Sequence, residues 1–200
     1  MSGFTDHWLA LREPADIAAR GTSLMPKLAD ALSAKTLARA DGSLSVVDLG
    51  AGTGSNFRHL APSLGHGQHW CLGDHDAALL KPTQNRLESW AQSVSARIES
   101  IAGGWRLSAP DFSATIKTLT LDLATGLSQL PWHQTDLLTG SALLDLVSQT
   151  WLTALADNCR RHHCLVLFAL TYDGRMQWLP LEPHDAIVTA ALNRHQQQDK

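Results

Sequence analysis

A doubly wound α/β sheet with mostly parallel strands is the fold class this chain predicts. Three observations predict it: short unbroken apolar runs of strand length, helical apolar stripes between them, and a glycine-rich turn where the first run ends. Residues 44–49 and 164–170 are apolar almost throughout, as strands buried between two helical layers must be. At 200 residues, 44% hydrophobic and 18% charged, the chain is sized for one α/β domain with its own core.

Composition also excludes partners. A formal net charge of −3 and a pI near 6.3 supply no broad positive field to gather nucleic-acid phosphates or an anionic membrane, so neither is expected as a partner. Met1 to Asp6 lacks the basic-then-apolar layout of a signal peptide, and no apolar stretch approaches the roughly 20 residues of a spanning helix; the expected location is cytoplasmic. Cys71, Cys159 and Cys164 form no CxxC and are expected as buried thiols rather than bridges or zinc ligands.

The elements follow in order. Residues 1–43 are predicted as a helical cap and 44–200 as the core, together one structural domain. Two helices over 6–40 follow from the near-helical spacing of Leu24, Leu28, Leu32 and Leu37, with Pro14 and Pro26 placed in first turns. Residues 44–49 form the first strand, 54–60 the first crossover helix, and 69–72 the second strand, closed by Gly73 and Asp74. Asp76 caps the next helical segment, whose stripe runs through Leu87, Trp90, Val94 and Ile98 beyond a break at Pro82. Residues 115–121 alternate and make the third core strand, with 103–107 pairing against it as an inserted hairpin. A short fourth strand covers 136–138. Ser141 caps a helix burying Leu144, Val147, Trp151 and Leu155, and 164–170 is the fifth strand. Residues 171–175 are a turn, 183–195 a helix, and the polar 196–200 frays.

In an open parallel sheet, ligands sit beyond the carboxyl ends of the strands, where strand order reverses. The first strand delivers Val46-Val47-Asp48-Leu49-Gly50-Ala51-Gly52-Thr53-Gly54-Ser55-Asn56 to that point. Asp74 ends the second strand beside this turn, where a carboxylate can accept two hydrogen bonds from a ribose diol or cap a helix. His75 packs beside it or is plain polar surface. At the end of the third strand, Asp122 offers a carboxylate and Leu123 a backbone N–H, the two contacts an adenine needs; Asp122 as a helix cap is the competing reading. Thr139 and Ser141 end the fourth strand.

The motifs in this order resemble those of class I S-adenosylmethionine-dependent methyltransferases, over residues 44–172. The resemblance implies a Rossmann-like core. It also implies that Gly50, Ala51, Gly52, Thr53 and Gly54 hold the methionyl part of S-adenosylmethionine, with Asp48 orienting its amino-acid end. Asp74 would take the ribose and Asp122 with Leu123 the adenine; by position alone, His75 can pack on the ribose or the adenine, and Thr139 and Ser141 can meet the methionyl ammonium or the acceptor, Ser141 equally being a helix cap. A dinucleotide fingerprint G-x-G-x-x-G counted from Gly50 ends on Ser55, and counted from Gly52 on Phe57, which favours S-adenosylmethionine over NAD. The family continues past its fifth strand with a helix and an antiparallel strand pair, whereas only residues 171–200 follow here. Either 176–181 substitutes for a strand, or the fifth strand is a free edge through which a homodimer forms.

The expected reaction is methyl transfer to a small molecule. Candidate bases are Tyr172, Asp173, His133 and His7, with Asp6 beside the last; Arg12 and Arg20 are candidates to clamp an acceptor carboxylate or phosphate, and Trp132 and Trp178 to wall its pocket. No metal is expected, since His66, His69, His162 and His163 precede strands and so belong at the far end of the sheet. Two rivals stay open: an NAD(P)-dependent oxidoreductase using the same turn, and a non-catalytic cofactor-binding or interaction module.

Overall fold

The computed structural model describes residues 4–37, 39, 41–170, 172 and 174–196. Its strands are β1 (Leu44–Leu49), β2 (Gln68–Asp74), β3 (Arg97–Ile101), β4 (Gly104–Ser108), β5 (Ser113–Thr120), β6 (Leu137–Ser141) and β7 (Leu165–Ala169). They form one seven-stranded sheet in the order β3-β4-β5-β2-β1-β6-β7. The pairs β5/β2, β2/β1, β1/β6 and β6/β7 are parallel, while β3 and β4 join the β5 edge as antiparallel strands. Strand order reverses between β1 and β6, so their carboxyl ends part there and open the crevice that such sheets use for ligands.

Single-residue alternation along the central strands feeds two cores. Leu44, Val46, Trp70, Ile116 and Leu137 belong to one. It is completed by Leu28 and Leu32 of α2 (Met25–Thr36), Phe57 of α3 (Ser55–Leu60) and Leu87 of α5 (Thr83–Ser93). Val47, Leu49 and Leu138 belong to the other, closed by Trp151, Leu155 and Cys159 of α6 (Gln149–Arg161). Both faces of the sheet are thereby covered, which is why these strands are apolar without a polar face. Phe57 meets Trp70 and Trp90 edge-on at 5.0 and 5.7 Å, which pins α3 and α5 to β2.

Several expectations are corrected. Ile98 is not on a helix: α5 ends at Ser93, Ser95 takes φ +52°, and the chain turns into β3. Ser141 ends β6, and the cap of α6 is Ser148, whose Oγ accepts from Trp151 N at 3.2 Å; Leu144 and Val147 precede that helix. Pro14 sits inside α1 (Asp6–Ala19) rather than in its first turn, because Thr5 Oγ1 caps that helix by accepting from Trp8 N at 3.1 Å. Leu24 and Leu37 are exposed. Residues 176–181 form no strand: Leu179 and Leu181 are 83% and 71% exposed and Pro180 interrupts the run.

The Asp76 cap and the strand beside β5 stand as expected. Asp76 caps α4 (Ala77–Leu80), accepting from Ala78 N at 2.8 Å, and the 104–108 strand pairs with β5 as expected. After β7, Tyr172 Oη donates to Asn193 Oδ1 at 2.9 Å and Asn193 Nδ2 donates to Gly174 O at 2.9 Å, fastening α7 (Asp185–Gln196) to the preceding turn. The three cysteines are free thiols, but only Cys159 is buried. Among the described residues no helix is long and apolar enough to cross a membrane.

Candidate functional site

The crevice is built on the turn after β1. Gly50, Gly52 and Gly54 all take positive φ, +64°, +52° and +80°, which folds the backbone back on itself before α3. A Cβ at Gly52 would stand 3.3 Å from Leu9 Cδ1, so that position needs glycine both for its backbone angle and for the side chain above it. The turn is locked by Ala51 N donating to Gly73 O at 3.0 Å and Gly54 N donating to Ala51 O at 2.8 Å.

Two carboxylates frame this turn. Asp74 Oδ2 accepts from Gly52 N at 2.8 Å and Oδ1 accepts from Asp76 N at 2.9 Å, so the side chain is fixed and each oxygen keeps a further lone pair for a ligand donor. His75 Nδ1 lies 3.3 Å from Asp74 Oδ1 with its ring half exposed. Asp48 is fully buried; Oδ1 accepts from Asn56 Nδ2 at 2.8 Å and Oδ2 has no partner. Burial pushes its carboxyl up to about 7, with Asp74 adding to the rise and Asn56 and Arg20 opposing it. Asn56 is the hub: Nδ2 also donates to Thr139 Oγ1 at 3.1 Å, and Oδ1 accepts from Arg20 Nη1 at 2.6 Å. Arg20 Nη2 reaches Ser141 Oγ at 3.0 Å.

The cap helix α1 lies across this turn. One cavity of about 80 Å³ is lined by Leu9, Arg12, Arg20, Gly52, Thr53 and Asn56 among others. A second of about 140 Å³ runs from Gly50 and Asp74 to His75, Leu123 and Ser141 under Trp8. Each is smaller than the roughly 300 Å³ of a typical small-molecule pocket, because α1 is seated on the glycine turn. Beyond Arg20, between the α1–α2 connection and the carboxyl ends of β6 and β7, lies a larger cavity of about 430 Å³.

The structure thus brings Asp48, the Gly50–Gly54 turn, Asp74, His75, Leu123, Thr139, Ser141, Arg12 and Arg20 to one crevice. Other candidates lie elsewhere. Asp122 is exposed and caps its own turn, accepting from Ala124 N at 2.9 Å. Trp132 is core, donating from Nε1 to Leu127 O, and with His133 and His162 it forms an aromatic cluster at the amino-terminal end of β6 and β7, opposite the crevice. Tyr172 is engaged with Asn193, His7 is exposed on α1, Asp6 pairs with Arg86 at 2.6 Å, and Trp178 lines none of the cavities described. Asp173 lies outside the described residues. No group of three or more potential metal ligands occurs among the described residues.

Three residues went unnoticed in the sequence. Asn56 carries a signal, since it directly follows the glycine turn. Arg58 donates to Thr53 O at 2.7 Å and grips Glu13 of α1 with Nη2 at 2.7 and 2.8 Å, and His59 lines the larger cavity with its pKa lowered by burial and by Arg20. Neither contact has a sequence signature, because both depend on how α1 and α3 meet.

No family model and no curated protein matches the chain. Among solved structures it is similar to an arsenic(III) S-adenosylmethionine methyltransferase from Chlamydomonas reinhardtii, at 16% identity and TM-score 0.46, covering 92% of this chain and 55% of the other. It is also similar to human methyltransferase 10 domain containing protein (12%, TM-score 0.40, 71% and 61%). A third is TrmN from Thermus thermophilus (22%, TM-score 0.37, 80% and 40%). The chain spans between 40% and 61% of the length of these structures. Likeness at this level adds nothing to the strand order already described.

Proposed function

We propose that this chain binds S-adenosylmethionine in the crevice between β1 and β6 and transfers its methyl group to a small-molecule acceptor. The observation that carries the reading is Asp48: a fully buried carboxyl at the base of a glycine turn, with one oxygen left without a partner. A buried polar atom in that state marks a place for a ligand group or the water that bridges to it. The donor set fits the rest of the molecule. Asp74 holds acceptor capacity for a ribose diol, Leu123 stands beside it, and the Gly50–Gly54 backbone is the surface a methionyl chain would lie against once α1 lifts. Asp122 is not part of this set, since its carboxylate serves its own turn.

S-adenosylmethionine supplies a methyl group already activated on a sulfonium, so the protein's contribution is alignment, exclusion of water and, for some acceptors, removal of a proton. Trp8 and Leu9 of α1 line the crevice on its open side, where they would cover a bound ligand. Asn56 holds Asp48, Thr139 and Arg20 in one network, which fixes the groups at the junction of the cavities. His59, its pKa lowered by burial and by Arg20, lines the larger cavity.

The test is calorimetric titration with S-adenosylhomocysteine, with NAD as a parallel ligand. Micromolar binding of the homocysteine compound alone supports the reading; NAD binding alone transfers the site to a nicotinamide cofactor. Asp74→Asn is nearly isosteric but has one acceptor oxygen where the carboxylate has two, so it gives up one of the contacts to Gly52 N and Asp76 N along with its grip on a diol, and is expected to weaken S-adenosylhomocysteine by ~1.5–3 kcal/mol, roughly 10- to 150-fold. Unchanged affinity in the folded variant removes Asp74 from the site.

A further inference from the structure

Arg20 sits where the cavities over the glycine turn meet the cavity of about 430 Å³. Among the residues lining the larger cavity it is the only one with a fixed charge, and Leu24, Met25, Leu60 and Leu167 make much of the wall apolar. Both groups it binds are neutral, Asn56 Oδ1 and Ser141 Oγ. Its Nε is buried without a hydrogen-bond partner, and among the described residues no carboxylate is in ion-pair contact with it. Asp48, Asp16 and Glu13 act on it only through the field, and burial still depresses its pKa. A half-buried guanidinium whose direct partners are both neutral has no carboxylate among the described residues in contact with it, and an anion in the cavity would meet that charge.

We propose that the larger cavity is the acceptor site and takes a small molecule bearing a carboxylate, anchored by the Arg20 guanidinium with its apolar body against Leu24, Met25, Leu60 and Leu167. This rests on the reading of the neighbouring crevice as the methyl-donor site. One planar fork matches the two oxygens of a carboxylate, whereas a phosphate dianion calls for further cations or a nest of amide donors that this wall does not supply. Arg12 does not compete for the role. It lines only the cavities over the glycine turn and is already paired with Asp16 at 2.7 Å.

The experiment uses the full chain saturated with S-adenosylhomocysteine, titrated with 3-phenylpropanoate and separately with its amide, for wild type, Arg20→Gln and Arg20→Lys. The acid is expected to bind wild type at least tenfold more tightly than the amide. Arg20→Gln should lose that preference, and Arg20→Lys, which keeps the cation, should recover part of it, separating charge from folding. Equal binding of acid and amide to wild type overturns the proposal. So does a tenfold loss of S-adenosylhomocysteine in Arg20→Gln with 5′-methylthioadenosine unaffected, which assigns Arg20 to the donor's own carboxylate. If wild type binds no S-adenosylhomocysteine, the donor reading fails separately, and the acid-against-amide comparison on the free protein still decides whether Arg20 is a carboxylate anchor.

Discussion

Asp48 is the residue whose chemistry departs furthest from its ordinary state, and its pH dependence has a definite sign. Its carboxyl is pushed from the ordinary carboxylate range up to about 7 by burial above all and by Asp74, with Asn56 and Arg20 pulling the other way. Between about pH 4 and 7 the folded chain holds a proton that the unfolded chain has released. Stability therefore falls as pH rises through that window, and the loss is complete above about 7. The melting temperature of wild type is expected to drop between pH 5.5 and 8, and Asp48→Asn to lack most of that drop; parallel curves would sink the assignment. A ligand ammonium favours ionised Asp48, so S-adenosylhomocysteine should bind more tightly at pH 8 than at pH 6 in wild type and show little change in Asp48→Asn. At this scale the sequence was informative where spacing alone sets position: Asp48, the glycines and Asp74 each terminate a strand and land together. Asp122 misled because an acid after a strand caps its own turn as readily as it faces a ligand, and only the three-dimensional path of residues 122–126 separates the two.

Among the elements, α1 is held to the core in an unusual way. None of its residues is buried, so little apolar area fastens it. Its anchors are polar: Glu13 on Arg58, Asp6 on Arg86, and Arg20, just past its end, on Asn56 and Ser141. The Asp6–Arg86 pair is exposed enough to contribute little, but Arg58 is only 7% exposed, and removing its partner leaves a buried charge with Thr53 O alone. Because α1 sits on the glycine turn, it must lift to admit a ligand. Glu13→Gln loosens that seat, and S-adenosylhomocysteine should associate about tenfold faster, corresponding to ~1.5 kcal/mol off the closed state. Stopped-flow tryptophan fluorescence, with Trp8 on the moving helix, follows this directly, and an unaltered association rate would reject gating by α1. A helix was expected here, but the apolar spacing behind that expectation, Leu24 to Leu37, belongs to α2 and its flanks, and the seat of α1 was not legible, since Glu13 and Arg58 are 45 residues apart. The same limit explains β3: periodicity carried the helical stripe on to Ile98, and what stopped it was a single positive φ at Ser95.

At the scale of the whole molecule, the parallel core β5-β2-β1-β6-β7 was readable from the apolar runs of β1 and β7 and the alternation of β5, although β7 lies half-buried at the edge, and the hairpin on the β5 edge was readable in half. The opposite edge is where the fold leaves its chemistry open. β7 pairs with β6 alone among the described residues, Val166 is 53% exposed, and an apolar groove of about 560 Å³ lined by Leu152, Cys159, Val166 and Phe168 runs beside it. An edge strand with unpaired backbone groups and no charged side chain is a template for another strand. We propose that a second copy of this chain pairs there: two β7 strands running antiparallel about a two-fold axis would continue the sheet and bring the two grooves together, an isologous contact that closes on itself. Sedimentation equilibrium is then expected to show a concentration-dependent dimer for wild type, and Val166→Lys, which puts a charge on the edge strand, should shift it to monomer without altering S-adenosylhomocysteine affinity, because Val166 lies outside the crevice. A wild-type chain that stays monomeric at high concentration rules the pairing out, and a dimer that survives Val166→Lys moves the interface to another surface.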